Sequence, residues 1–257
     1  MGALMRVAVA GGTGLLGRHV VAALGEADHE AVVLSRGTGV DLVAGTSLGD
    51  ALAGVEVIVD VTDLKTASRK ASAAFFTSVG RNLLAAGQRA GAGHYVALSI
   101  VGSDKINLGY YEGKRRQEEL ALSGLLPGTV LRSTQFHEFP SQILGQIPGP
   151  VAAVPRMRMQ PIAAREVADA LVAQVGQEPA GLLPELAGPR PESLVELARL
   201  FVRTTGMHKR VVPIRWPGAA GKAWAAGAAI PVAPGPRGRQ TFAQWLSEFI
   251  SRQRLGA

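Results

Sequence analysis

Short apolar runs alternate with longer helical patterns through the first half of the chain. Val7 to Ala10 is an apolar run that passes straight into a glycine-rich turn, and Arg18 to Leu24 follows with helical spacing. Ala31 to Leu34 predicts a second strand and Val40 to Val43 a short third. Val55 to Val61 is almost continuously apolar, as expected of a strand buried on both faces. A long helix should carry Phe75, Phe76, Val79, Leu83, Leu84 and Ala90. His94 to Val101 then predicts a strand, Tyr110 to Leu122 a charged helix, and Thr129 to Arg132 another strand. Parallel strands need helical crossovers on the sheet faces, so the alternation predicts an α/β fold with a doubly wound parallel sheet.

After about residue 134 the rhythm breaks at Pro140, Pro148, Pro150, Pro155 and Pro161. Helices are expected over Arg165 to Val175 and Glu192 to Val202. The Pro-, Gly- and Ala-rich stretch from Trp216 to Gly238 reads as a lid or a surface loop. Phe242, Trp245, Leu246, Phe249 and Ile250 fall at helical spacing and predict a docked C-terminal helix. The expectation is one domain over 1–257, with a core over 1–134 and a smaller cap over about 135–257. Open α/β sheets bind ligands at the edge where such a cap would stand.

Composition narrows the class. With 257 residues, 47% of them apolar, the chain can bury a large core and is not a disordered segment. It has no Cys, which excludes a disulfide framework, a thiolate nucleophile and a cysteine metal site. The net charge of +7 arises wholly after residue 130, where 15 Lys/Arg face 8 Asp/Glu. Those cations are scattered and not interleaved with aromatics, so they read as a solvated face and no nucleic-acid partner is expected. The longest late apolar stretch, Ala223 to Ala233, is about half the ~20 residues of a spanning helix. No membrane association and a cytoplasmic location are therefore expected.

The main chemical signal is the loop Gly11, Gly12, Thr13, Gly14, Leu15, Leu16, Gly17. It fits Gly-x-Gly-x-x-Gly through Gly12, Gly14 and Gly17. A chain that turns sharply from strand to helix, touches a pyrophosphate with its backbone and packs helix on strand needs glycine at such positions. The helix N-terminus then offers N–H groups and a positive dipole end to the anion. A Rossmann-like dinucleotide site is predicted. The second strand ends at Leu34, Ser35 and Arg36 with no carboxylate to take the adenosine ribose hydroxyls. Arg36 can fork onto a 2′-phosphate and Ser35 can add a hydroxyl, so NADP(H) is expected ahead of NAD(H).

Tyr110 and Lys114 stand four residues apart at the head of a helix, hence on one face. An ammonium near a phenol draws the phenol's pKa down from about 10 toward a useful range for acid/base work. Ser99, at the end of its strand, could hold a substrate oxygen. Tyr111 adjoins Tyr110, and spacing alone selects between them.

The glycine loop, the Ser99 strand and the Tyr110/Lys114 pair together resemble the short-chain dehydrogenase/reductase superfamily. The loop spelling and the run from Leu131 to Phe139 are most similar to its atypical, NmrA-like branch. That resemblance implies hydride transfer between a nicotinamide and a carbonyl or alcohol. In it Ser99 orients substrate, Tyr110 exchanges the proton, and Lys114 binds the nicotinamide ribose. The sequence departs from the classical pattern in having Asp60, Val61, Thr62 and Asp63 where Asn-Ala-Gly is usual. The branch also contains regulators that sense NADP(H) without turning it over, and the same loop serves nucleotide-sugar epimerases and dehydratases. Dimers are common in the superfamily, which makes a homodimer compatible with the resemblance.

Phe136, His137 and Phe139 follow the last clear strand and are the expected lining for a small apolar carbonyl or quinone. Packing is the competing use of all three. Asp60 and Asp63 are expected to bound the cofactor cleft. No metal site is expected, because His19, His29, His94 and His208 lack ligand spacing.

Overall fold

The computed structural model describes residues 4–66 and 68–255. In chain order the elements begin β1 (Arg6–Ala10), α1 (Leu15–Glu26), β2 (Glu30–Leu34), α2 (Leu48–Ala51), β3 (Val57–Asp60) and α3 (Arg69–Ala90). They continue β4 (His94–Ile100), α4 (Gly109–Ala121), β5 (Gly128–Ser133), α5 (Phe139–Gln146), β6 (Val151–Pro155) and β7 (Arg158–Met159). The rest are α6 (Ala164–Val172), β8 (Gly181–Leu182), β9 (Glu192–Ser193), α7 (Leu194–Thr205), β10 (Arg210–Ile214), α8 (Gly218–Ala226) and α9 (Phe242–Leu255).

The chain folds as two compact units. The first holds Met1–Asp104, Leu108–Arg132 and Ala164–Pro184; the second holds Lys105–Asn107, Ser133–Ala163 and Glu185–Ala257. A segment well beyond residue 134 thus returns to the first unit, carrying α6 and β8.

The first unit is built on a six-stranded sheet of order β2-β1-β3-β4-β5-β8, with β1 parallel to β2 and β3, β3 to β4, and β5 to β8. Val7 to Ala10 are fully buried, because β1 lies between two neighbours and is covered on both faces. The chain leaves β1 toward β2 and returns to the other side of β1 as β3. The direction of winding therefore reverses between β1 and β3, and the carboxyl ends at such a reversal are where open α/β sheets bind ligands. Helices pack in pairs, α3 with α4 and α1 with α6. Arg165 of α6 fastens the second pair by ion-pairing Glu26 of α1 as well as Asp169.

The second unit contains a parallel pair, β6 with β10, and an antiparallel pair, β7 with β9. Helix α7 packs on α5 and α9. Met157 and Met159 are buried in its core.

Two local expectations are corrected. Val40 to Val43 is not a strand: Asp41 Oδ1 accepts from the N–H groups of Val43 and Ala44 at 2.9 and 3.0 Å, which closes a turn in place of a ladder. The stretch from Trp216 to Gly238 contains helix α8, and the rings of Trp216 and Trp224 stand 5.8 Å apart across it. Ala is a strong helix former, and the run from Ala219 to Ala226 outweighs its single internal glycine. No described helix is long and apolar enough to cross a membrane.

Candidate functional site

The glycine loop joins β1 to α1 at the carboxyl end of β1, where the winding reverses toward β3. Gly11 adopts a left-handed φ of +83° and packs on Val61 and Thr62, just past β3. Gly17 lies in the first turn of α1, so close to the loop that a Cβ there would overlap Gly11 O and stand 2.6 Å from Gly12 Cα. A cradle this tight is built from backbone alone. Gly14 is the N-cap of α1 and offers no side chain to the first turn, while Gly14 and Thr13 are exposed. The Gly14 N–H is used within the turn, on Gly11 O at 2.9 Å. The helix thus begins at an exposed end with no capping side chain and no acidic residue in its first turn, which suits a diphosphate. Leu15 is partly exposed there and Leu16 is buried beneath.

At the end of the neighbouring β2, Ser35 N–H donates to Thr38 Oγ1 at 3.1 Å, setting a short 3₁₀ turn over Arg36–Thr38. Arg36 projects from that turn in an exposed position.

Helix α4 brings Tyr110 and Lys114 to the same unit. Gly113 lets it approach α3, since a Cβ there would overlap Ser72 Oγ and the Phe76 ring. Lys114 is only 3% exposed. Its Nζ donates to Thr62 O at 3.2 Å, Leu98 O at 3.1 Å and Gln117 Oε1 at 2.9 Å, and lies 4.6 Å from the Phe76 ring centre. Thr62 is the link to the glycine loop, because Gly11 packs against its backbone. Burial pulls the ammonium's pKa below its usual value, with Asp63, Asp60 and Glu118 opposing.

Tyr110 stands with its ring centre 6.0 Å from Lys114 Nζ and edge-on to Phe76 and Tyr111. Tyr111 is buried. The expected depression of the phenol's pKa is reversed. Desolvation comes first and the Asp63 carboxylate beside it second, and together they push Tyr110 well above 10.

In place of the free hydroxyl expected at Ser99, the structure shows one already committed. Ser99 is buried and donates to Glu118 Oε1, which also accepts from Ser103 Oγ at 2.8 Å and Arg132 Nε at 2.9 Å. Arg132 Nη2 completes the pair on Glu118 Oε2 at 2.7 Å. A carboxylate this buried needs such donors, and Ser99 is one of them.

Sequence reasoning overlooked Gln117, Glu118, Arg132 and Tyr95. A signal existed: Tyr110, Lys114, Gln117 and Glu118 fall at i, i+4, i+7 and i+8, the spacing of a core stripe written in polar residues.

The expected substrate residues belong to the second unit. His137 is fully buried, with its ring 5.9 Å from those of Phe242 and Trp245 and its Nε2 3.0 Å from Gln240 O. It is engaged in holding α9. Phe136 and Phe139 remain partly exposed; Phe136 bridges to Ile162 and Phe139 opens α5.

Among solved structures, this chain is similar to UDP-glucose 4-epimerase from Thermotoga maritima, with a TM-score of 0.74 at 14% identity over 97% of this chain and 99% of that one. It is similar to NADPH-dependent quinone oxidoreductase from Escherichia coli, solved with NADPH, with a TM-score of 0.69 at 19% identity over 95% and 99%. A short-chain dehydrogenase/reductase superfamily protein from Agrobacterium tumefaciens with bound NAD gives 0.69 at 20% identity over 97% and 98%. The chain has the fold of that superfamily. At these identities the likeness is one of fold, and no family model or curated protein sequence matches the chain.

Proposed function

We propose that this protein is an NADP-dependent oxidoreductase that reduces a small apolar carbonyl or quinone. One observation carries the reading: the backbone cradle at Gly11, Gly12 and Gly17 is joined through Thr62 to Lys114, so the glycine loop and α4 meet just past the end of β3. In this reading Gly12, Thr13, Gly14 and the first turn of α1 take the diphosphate. Arg36, with Ser35, takes the 2′-phosphate. A bound nicotinamide supplies the hydride. Lys114 holds the ribose hydroxyls, and Tyr110 gives its proton to the substrate oxygen. In the reductive direction the phenol enters protonated, and burial with the Asp63 carboxylate makes it a weaker acid than an exposed tyrosine. Ser99 serves by ordering Glu118.

A second reading, a sensor that binds NADP(H) without turnover, is favoured by one feature. All three Lys114 protons already have acceptors within the protein. The test is NADPH binding followed by NADPH consumption across quinones, ketones and aldehydes. An oxidoreductase consumes NADPH with at least one of them, and Tyr110→Phe abolishes that turnover while leaving nucleotide affinity intact. Undiminished turnover in Tyr110→Phe refutes the role of the phenol. Tight binding with no consumption throughout selects the sensor.

A further inference from the structure

We infer that the buried pair Asp60–Gln117 is the positioning device for Lys114: Asp60 fixes which way the Gln117 amide faces, and the amide oxygen fixes the ammonium. The inference rests on the proposed role of Lys114 as the ribose-binding residue.

Asp60 ends β3 and is fully buried. Its Oδ1 accepts from the Thr62 N–H at 3.0 Å and the Thr62 hydroxyl at 2.7 Å. Its Oδ2 accepts from the Tyr95 hydroxyl at 2.5 Å and from Gln117 Nε2 at 2.7 Å. Burial and Asp60 itself push the Tyr95 phenol well above 10, which keeps its proton available for this bond. With four donors directed at it, the Asp60 side chain is an acceptor at every contact.

That polarity decides the next bond. Gln117 is 1% exposed, and its amide presents Nε2 to Asp60 and Oε1 to Lys114 Nζ at 2.9 Å. Turning the amide over would set oxygen against carboxylate and NH₂ against ammonium, two like-with-like contacts in a buried site. The amide is therefore locked, and Gln117 Oε1 is the shortest of the three acceptors around Lys114. An ammonium has three protons, so reaching a ribose requires giving up one acceptor. The contact with Thr62 O, at 3.2 Å, is the longest and the one released; Gln117 stays as the anchor.

The test uses the full chain and exchanges the two groups. Asp60→Asn lets the amide turn and removes the lock. In the double variant Asp60→Asn with Gln117→Glu, the new amide donates to the new carboxylate, which accepts from Lys114; the total charge is unchanged. The first readout needs no nucleotide: the ¹⁵N-lysine ammonium resonance, which survives solvent exchange only when the protons are held. We expect the Lys114 signal in the wild type, its loss in Asp60→Asn and its return in the double variant. The second readout is NADPH affinity by fluorescence titration. We expect a fall of about tenfold in Asp60→Asn and recovery to within about threefold in the double variant. A Lys114 signal unchanged in Asp60→Asn, or not regained in the double variant, overturns the inference. So does NADPH affinity that ignores both changes. If the ammonium responds as expected and the wild type binds no nicotinamide nucleotide, the proposed function fails and the positioning of Lys114 stands.

Discussion

Replacing Gly17 by alanine adds one methyl group where the structure holds only backbone. The new carbon overlaps Gly11 O and lies 2.6 Å from Gly12 Cα and 2.7 Å from the Gly12 carbonyl carbon. Carbon atoms rest at about 3.5–4 Å, so loop and helix must part by roughly 1 Å. Every blocking atom belongs to the main chain, and no side-chain rotation relieves it. Overpacking of this kind costs about 1–3 kcal/mol, or roughly 2–10 °C in Tm for a chain of this size. Function should suffer more than stability, because a ~1 Å misplacement of binding groups is worth on the order of 100-fold. We expect NADPH affinity to fall by at least about tenfold. Gly25→Ala is the control within the same helix. Nothing lies within 4 Å of its added carbon, and the change should stabilise by about 0.5–1 kcal/mol through the unfolded chain. Thermal unfolding with and without NADPH, together with fluorescence titration, reads both quantities. A Gly17→Ala protein that melts with the wild type and binds NADPH equally well refutes the cradle.

Arg36→Ala should narrow the difference between NADPH and NADH in raising Tm; an unaltered difference removes Arg36 from the 2′-phosphate. Arg132→Met leaves Glu118 buried without its cation and should cost about 3–5 kcal/mol, seen as a lower denaturation midpoint. Burial raises the Glu138 pKa above its ordinary 4.5, with Trp245 and Arg252 opposing. Stability from that proton is full below 4.5 and is lost as pH rises through the raised value. Glu138→Gln should therefore flatten the urea midpoint measured between about pH 4 and 7 and raise it at the upper end, and a profile parallel to wild type contradicts this.

What the sequence determined by itself is local and repetitive. Apolar runs at strand and helix periods announced the first five strands of the main sheet, α1, α3 and α4. The clustered glycines marked the turn after β1, because no other residue permits that backbone approach. Phe242, Trp245 and Phe249 announced α9 for the same reason, since a helix that docks must present one apolar face.

Tertiary structure decided which polar side chains meet. Ser99 looked like a substrate hydroxyl until Glu118, nineteen positions away, was found accepting its proton. Gln117 reaches Asp60 across fifty-seven positions, and Lys114 reaches Thr62 across fifty-two. The Tyr110 phenol, expected to be acidified by Lys114, is instead governed by burial and by Asp63. A hydrophobic period records which face of an element turns inward. It carries nothing about the donor or acceptor waiting on the facing element, and in a low-dielectric interior that partner sets the chemistry.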